Sequence, residues 1–193
     1  MKKINFLILI TICPLIIFGQ SDSITIKKTL EEVNVNAIKA DSKTPMAYTD
    51  LKKQEIEKSN LGQDLPFLIS LTPSIVSTSD AGAGIGYTGF RIRGTDPSRI
   101  NVTINGIPLN DSESQGVWWV NMPDFASSLE NIQIQRGVGT STNGAAAFGA
   151  SINLKTLAIK EQAYAKTSNS MGSFNTLKNN VELGTGTIND KFS

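Results

Sequence analysis

The chain contains three successive patterns of hydrophobic and polar positions. A nearly unbroken apolar run covers Ile4 to Phe18, and a polar stretch then continues to Met46. Apolar residues next recur at helical spacing up to Leu71, and beyond Pro73 apolar and polar residues alternate with the period of two that is typical of strands. This order predicts an apolar leader, a polar arm, two short helices and a series of short strands.

The leader has the features of a secretory signal peptide. Lys2 and Lys3 precede the apolar run, and the small residue Gly19 follows it. A membrane-spanning helix is the alternative, but such a helix needs about 20 apolar residues, and this run is shorter and contains Pro14. We therefore expect residues 1–19 to be a cleaved signal peptide.

The polar arm, residues 20–46, contains one short alternating stretch, Leu30–Val35. Alternation between polar flanks indicates an extended, mobile arm that can form one strand. A plain linker is the alternative interpretation.

Two short helices are predicted after the arm. Thr49 to Lys58 places Leu51 and Ile56 on an inward face, with Thr49 or Asp50 as the cap. A second helix is predicted from Gly62 to Leu71, because its leucines recur at helical spacing and a proline follows.

Short strands follow the helices. Asn105-Gly106 separates two of them and is the strongest two-residue hairpin signal, because both positions of such a turn need positive φ. Short helices combined with short strands predict an α+β domain. The predicted strands are Ile75–Thr78, Tyr87–Arg93, Ile100–Ile104, Ile107–Leu109, Asn131–Gln135 and Ala150–Thr156.

The last part of the chain predicts a longer hairpin. Ala163–Met171 is extended, Gly172–Asn175 forms a turn, and Thr176–Thr185 alternates, with Leu177, Asn179, Val181 and Leu183 on one face and Lys178, Asn180 and Glu182 on the other. Another turn begins at Asn189-Asp190. Strands of about ten residues with one apolar face are typical of transmembrane barrels, and an exposed hairpin of a soluble domain is an equally good interpretation of this stretch alone.

Composition excludes several kinds of chemistry. The sequence has no histidine, and its one cysteine, Cys13, lies in the leader. The loop carboxylates Asp96, Asp111, Glu113 and Asp124 match no metal-binding spacing. A formal net charge of +1 without a basic stripe gives no basis for nucleic-acid binding. We expect no catalytic residue, no metal and no cofactor.

Two glycine-rich segments resemble nucleotide loops only in spacing. Gly84–Gly89 has the glycines of a dinucleotide loop, but a strand follows where a helix N-terminus is needed to hold the pyrophosphate. Gly137–Thr140 is not followed by Gly-Lys-Ser/Thr. We predict instead a mobile glycine loop at Ala81–Gly89 and close backbone packing from Gly137 to Ser151.

Four blocks of sequence carry a family resemblance. In order and spacing they resemble the plug domain of TonB-dependent receptors, and the blocks are Ile92–Gly94, Ile100–Asp111, Leu129–Gly137 and Gly144–Lys155. The resemblance implies a small mixed sheet with short helices, seated inside a 22-stranded outer-membrane barrel. It divides the chain into a signal peptide (1–19), a periplasmic arm (20–46), a plug (47–157) and the first antiparallel strands of an incomplete barrel (158–193).

The resemblance also assigns residues to roles. Arg93 and Arg136 match two plug arginines that pair with barrel glutamates, and Glu130 is a local alternative partner. The box that docks with TonB by adding a strand matches Leu30, Glu31, Glu32, Val33, Asn34 and Val35, although Asn34 departs from the valine-rich pattern.

Two loops match the places where plugs face their ligand, Ala81–Gly86 and Asn110–Trp119. One of the two tryptophans is expected in the core and the other at the surface. The candidate ligand-facing residues are Gly82, Gly84, Tyr87, Asn110, Asp111, Trp118 and Trp119.

The implied function is transport rather than catalysis. A ligand such as an iron chelate or a cofactor binds the outer face, and TonB acts on the arm to perturb the plug. The expected location is the cell outer membrane, with lipid around the barrel and the arm in the periplasm. Because two strands cannot close a barrel, we expect a longer parent protein. The alternative function is a soluble periplasmic or secreted binding module without a barrel.

Overall fold

The computed structural model describes residues 39–138, 143–144 and 146–188, which form a mixed α+β arrangement. Two short helices lie near its start, α1 (Lys53–Ser59) and α2 (Leu65–Leu68). The strands are β1 (Ala47–Lys52), β2 (Ile75–Ser79), β3 (Thr88–Ile92), β4 (Ile100–Ile104), β5 (Ile107–Pro108), β6 (Leu129–Arg136), β7 (Ala150–Thr156), β8 (Tyr164–Met171) and β9 (Leu177–Gly184). Three 3₁₀ turns connect them, at Pro97–Arg99, Trp119–Asn121 and Phe125–Ser128.

Five strands form a central sheet in the order β1-β6-β7-β4-β5. The β4–β7 pair is parallel, and the other three neighbouring pairs are antiparallel. The sheet is therefore mixed, as the resemblance implied. Two further pairs stand apart from it, the β2–β3 hairpin and the β8–β9 hairpin.

One face of the central sheet forms the hydrophobic core. Val102, Ile134 and Ile152 lie on this face, each at most 2% exposed, and Ile134 is paired directly with Ile152. Helix α1 contributes Ile56 to this core, and β3 contributes Phe90. Full burial of such side chains stabilises the fold by roughly 1.5–3 kcal/mol each.

The Asn105-Gly106 hairpin prediction is confirmed. Both residues have positive φ, 51° at Asn105 and 84° at Gly106, and they join β4 to β5. The predicted strands β2, β3, β6 and β7 are also present with bounds shifted by a few residues at most.

The first predicted helix is wrong over its first half. Ala47–Lys52 is strand β1, which pairs with Arg136–Asn131 of β6, and helix α1 begins only at Lys53. Pairing along the open edge of β6 outweighs the weak helical preference of this stretch. The helix is capped at Lys52, whose amide donates to the Glu55 carboxylate at 2.9 Å.

The second predicted helix is much shorter than expected. Only Leu65–Leu68 is helical, with Pro66 in its first turn. Gly62 has a φ of +91°, which is incompatible with a helix, and its amide donates to the Asn60 side chain at 3.0 Å. An asparagine-initiated turn therefore replaces the first helical turn that hydrophobic spacing predicted.

The predicted C-terminal hairpin is present, with β8 and β9 paired over eight residues. Its polar face lies against the rest of the domain: Lys166 contacts Glu57 at 2.6 Å, and Lys178 contacts Asp124 at 2.7 Å. Its other face is exposed, and the large apolar side chains on it are Met171, Leu177, Val181 and Leu183. The predicted turn at Asn189-Asp190 lies outside the described residues.

No helix within the described ranges has the length and apolar content that crossing a membrane requires.

Candidate functional site

A pocket of about 370 Å³ lies where three connecting segments meet. The ends of the β2–β3 hairpin supply one wall, the Pro97–Arg99 turn supplies the second, and the segment 114–120 supplies the third. The aromatic and acidic side chains that line it are Tyr87, Phe90, Trp118, Trp119, Asp80 and Asp96.

The two tryptophans have different environments. Trp119 is 4% exposed and packs against Phe90 with ring centroids 5.7 Å apart, whereas Trp118 is 53% exposed. Trp119 therefore anchors the loop to the core and leaves Trp118 at the surface of the pocket. Tyr87 is also exposed, so two aromatic rings are accessible to a ligand from different loops.

Asn110 holds the pocket loop to strand β4. Its side-chain oxygen accepts from the Val102 amide at 2.8 Å, and its Nδ2 donates to the carbonyls of Ile100 at 2.9 Å and Gln115 at 2.8 Å. These bonds replace the ladder beyond the two-residue strand β5. Asn110 thus supports the loop and is not among the residues that line the pocket.

Asp111 begins a tight turn in the same loop. Its carboxylate accepts from the Ser114 amide at 2.7 Å and from the Ser114 hydroxyl at 2.9 Å, and these bonds hold the pKa of Asp111 below its usual range. The Asp111 carboxylate therefore accepts hydrogen bonds from its own loop. Like Asn110, Asp111 is not among the residues that line the pocket.

The candidate glycines Gly82 and Gly84 are not among the residues that line the pocket. A Cβ on Gly84 would approach the Phe67 ring to 2.8 Å, and the Gly84 carbonyl accepts from the Asp64 amide at 2.9 Å. Gly84 therefore lets the loop pack tightly on helix α2. At Gly82, φ is +75° and the surroundings are open, so this position only turns the chain.

Of the seven candidate ligand-facing residues, the pocket brings together Tyr87, Trp118 and Trp119. Sequence reasoning missed Asp80 as a pocket residue and considered Asp96 only as one of four loop carboxylates. The Asp96 carboxylate accepts from the Ser98 amide at 3.1 Å and from its hydroxyl at 2.9 Å, which lowers the pKa of Asp96. The Asp-Pro-Ser sequence is the signal for this turn.

Arg93 and Arg136 lie near each other at one end of the central sheet. Arg136 donates to the Thr49 hydroxyl at 2.6 Å and to the Tyr48 carbonyl at 3.4 Å, so it holds strand β1. Arg93 has a φ of 53°, and its guanidinium lies beside Gly137. Neither arginine forms an ion pair with another described residue, and their pairing with barrel glutamates stays a prediction.

Glu130 is not the local partner of these arginines. It lies at the opposite end of β6 from Arg136 and pairs with Lys155 at 3.7 Å. Glu130 and Arg136 are six residues apart along this strand, which corresponds to about 20 Å at roughly 3.3 Å per residue.

The predicted TonB-docking residues, Leu30–Val35, lie outside the described residues. In the described part of the chain, no group of three or more acidic, histidine or cysteine side chains is arranged to hold a metal ion.

Comparison with known proteins identifies the domain. Residues 40–151 match the family model described as the TonB-dependent Receptor Plug Domain. The vitamin B12 transporter BtuB of Vibrio vulnificus is 30% identical over 110 residues, which cover 57% of this chain and 17% of that protein. A probable TonB-dependent siderophore receptor, PirA of Acinetobacter baumannii, is 21% identical over 154 residues, which cover 72% of this chain and 20% of that protein.

The fold agrees with solved structures. The ferric yersiniabactin uptake receptor FyuA of Yersinia pestis aligns with a TM-score of 0.54 at 13% identity, over 75% of this chain and 22% of that one. The chain thus spans about a fifth of the length of the relatives it matches. Since the plug model covers more than half of the sequence, the chain belongs to the family of TonB-dependent receptors of the cell outer membrane, and residues 40–151 are its plug domain.

Proposed function

We propose that this chain is the plug region of an outer-membrane transporter that imports a scarce nutrient with energy supplied through TonB. The observation that carries the proposal is the pocket lined by Tyr87, the Pro97–Arg99 turn and the segment 114–120, on a domain of the plug family. The sequence relatives named above are a vitamin B12 transporter and a probable siderophore receptor, which supports a cofactor or an iron chelate as the cargo.

The lining of the pocket favours one kind of cargo. Asp80 and Asp96 contribute negative charge, and no lysine or arginine is found among the described residues that line it. Trp118 and Tyr87 offer flat apolar surfaces on which a ring or a chelate face can stack. Asp96 is paired with Arg91 at 3.6 Å, whereas Asp80 forms no ion pair with another described residue. We propose that a neutral or positively charged ligand is preferred to an anionic chelate, because an anion would lie beside the Asp80 carboxylate.

The hairpin β8–β9 supports a barrel around the plug. Its exposed face carries Met171, Leu177, Val181 and Leu183 beside the Asn169–Asn179 pair, and its plug-facing side is polar, which approaches the alternation of a strand between lipid and a wet lumen. The contacts from its polar side, Lys166–Glu57 and Lys178–Asp124, are ion pairs that water can replace. A plug held in this way can stay seated and still be displaced.

The arm would transmit force. Leu30–Val35 is proposed to pair as an added strand with TonB, since strand addition relies on main-chain hydrogen bonds and tolerates sequence variation. Deletion of these six residues in the full-length protein should abolish energy-dependent uptake and leave ligand binding unchanged. Vitamin B12 and a ferric siderophore serve as the probes. Loss of binding along with uptake would contradict the docking role.

Trp118→Ala tests the pocket. Removal of an exposed stacking surface should weaken binding of the probe that the protein binds by about 2- to 12-fold, because ring stacking contributes roughly 0.5–1.5 kcal/mol. The matched control is Phe174→Ala, a fully exposed aromatic residue at the turn of the β8–β9 hairpin. Equal binding by Trp118→Ala and the unmodified protein would remove the pocket from the proposal.

A further inference from the structure

Two neighbouring arm residues contact the plug where the described part of the chain begins. Lys39 donates to Asn131 Oδ1 at 3.1 Å and pairs with Asp50 at 3.5 Å at the surface, and Ala40 is held by a buried glutamine side chain. Ala40 donates its amide to Gln133 Oε1 at 2.7 Å, and Gln133 Nε2 donates to the Ala40 carbonyl at 3.0 Å. Both residues are buried, Ala40 to 5% exposure and Gln133 to 1%. The side-chain amide of Gln133 thus bonds both backbone groups of Ala40, as the backbone of a neighbouring strand would.

This attachment continues into a line of buried amides across the polar face of the central sheet. Gln135 Nε2 donates to Gln133 Oε1 at 2.9 Å, and Asn143 Nδ2 donates to Gln135 Oε1 at 3.0 Å. The side chain of Asn101 on β4 then donates to the Asn143 carbonyl. The Gln133 oxygen that receives the arm is therefore fixed in place from its other side.

The chain between Ala40 and the sheet has a geometry suited to release by tension. After Ala40 it makes a tight turn at Asp41–Thr44 and returns as β1, an edge strand paired with β6 alone. Tension from the N-terminal side would load the exposed Lys39 contacts and the buried Ala40–Gln133 bonds before it reaches strand β1. It would reach the Ala47–Arg136 end of β1 next and open that ladder one pair at a time.

The two faces of the sheet differ in how they respond to such tension. Bonds between buried amides are exchanged for bonds to water, so the net stabilisation of each is only about 0.5–1.5 kcal/mol. Separation on the apolar face would instead expose the hydrophobic core, at a cost of about 25 cal/mol for each Å². The polar face is therefore the side on which the arm detaches.

We propose that Gln133 is a positioning residue that fastens the root of the arm to the plug and must release Ala40 before strand β1 can be pulled from the sheet. The proposal rests on the proposed function insofar as TonB supplies the pull. It adds a specific element: a two-bond amide clasp, formed by Ala40 and Gln133, that sets the force at which the arm begins to open the plug.

The test is single-molecule pulling on the full-length protein embedded in a lipid bilayer, through a handle at the mature N-terminus. The first rupture should precede release of residues 40–52, which lengthens the tether by about 45 Å at ~3.5 Å per residue. Gln133→Leu keeps the volume and removes both bonds to Ala40. The force of the first rupture should then fall to less than half.

Gln135→Leu is the matched control, because it removes an equally buried amide from the same face and leaves both bonds between Ala40 and Gln133. It should lower overall plug stability about as much as Gln133→Leu, with the first rupture force changed by far less. An equal fall in both variants, or no fall in Gln133→Leu, would overturn the clasp. Neither result bears on whether the protein imports a ligand, which deletion of the arm tests separately.

Discussion

The two faces of the central sheet share the same strands and hold the plug together by different means. In β4, Val102 points to the hydrophobic core and its neighbour Thr103 points to the opposite face, yet each is only 2% exposed. In β6, Ile132 and Ile134 alternate with Gln133 and Gln135, and all four are at most 1% exposed. Burial alone therefore does not distinguish the faces.

What distinguishes them is the interaction that replaces water. On the apolar face the stabilisation comes from area removed from water and from close packing, which have no geometric requirement beyond shape. On the polar face every buried amide needs a partner, and loss of one leaves another unsatisfied. The comparison suggests a division of labour, in which one face keeps the plug folded and the other can be opened by water or by force.

The largest effect is expected on the apolar face. Ile134→Ala removes a side chain with no exposure that is paired with Ile152. It should lower the free energy of unfolding of the plug by about 2–5 kcal/mol, because a cavity is left in a packed core. Urea unfolding followed by the fluorescence of buried Trp119 measures this change.

Ile107→Ala is the control for that substitution, since Ile107 is 71% exposed on the edge strand β5. Its effect should stay within about 0.5 kcal/mol. A similar loss in both variants would mean that the apolar face does not carry the stability assigned to it.

A smaller loss is expected in the middle of the amide line. Gln135→Ala deprives Gln133 of a donor and Asn143 of an acceptor. Leaving such groups unsatisfied in the interior should cost about 1–3 kcal/mol in the same urea experiment. Gln162→Ala, at an exposed position before β8, is the control and should be neutral. A neutral Gln135→Ala would show that the buried amides are already hydrated.

The sequence predicted the apolar face well and the polar face poorly. Period-two alternation correctly placed Ile132 and Ile134 inside, but the same rule places Gln133 and Gln135 outside, where an ordinary two-layer domain would have solvent. Their burial depends on Ala40 and Asn143, which are distant in sequence and carry no local signal. A polar residue becomes interior only when such partners meet it, and single-sequence patterns do not contain that information.

The sequence also predicted the candidate site only in part. That motif order marks the two ligand-facing loops stays a prediction, whereas the Trp118-Trp119 pair was correctly expected to have one buried and one exposed member. Asp80 was missed because no local pattern relates the end of β2 to the loop after β5. The strand β1 was missed for the same reason, because its pairing with β6 joins Ala47 to Arg136.

Two adjacent residues of β4 allow the faces to be compared at almost constant volume. Val102→Thr puts a hydroxyl into the apolar core and should cost about 1–3 kcal/mol. Thr103→Val removes a 2.8 Å bond to Asn153 Oδ1 and should cost about 0.5–1.5 kcal/mol. Urea unfolding of both variants shows directly which substitution lowers the free energy of unfolding more. If Thr103→Val cost more than Val102→Thr, loss of a hydroxyl on the polar face would matter more than gain of one on the apolar face, and our ranking of the two faces would be reversed.

The smallest effect is expected at the turn beside the clasp, and it depends on pH. The Asp41 carboxylate accepts from the Thr44 hydroxyl at 2.8 Å and from the Lys43 amide at 2.9 Å, and these bonds lower the pKa of Asp41 below the ordinary 3.8. Because the pKa of Asp41 is lower in the folded state, the ionised carboxylate stabilises the turn at pH values above the ordinary pKa of 3.8. This stabilisation is lost as the pH falls below 3.8 and through the folded pKa.

Hydrogen exchange at the Lys43 amide, expressed relative to the intrinsic rate at each pH, should therefore lose protection in acid while the Ile134 amide does not. Asp41→Asn keeps an acceptor oxygen and cannot titrate in this range, so its Lys43 protection should be independent of pH. If protection falls equally at Lys43 and Ile134 as the pH is lowered, acid acts on the whole plug. If only Lys43 loses protection, the turn next to the arm can open locally while the hydrophobic core stays folded. A plug that is opened by a force on its N-terminal arm requires this property.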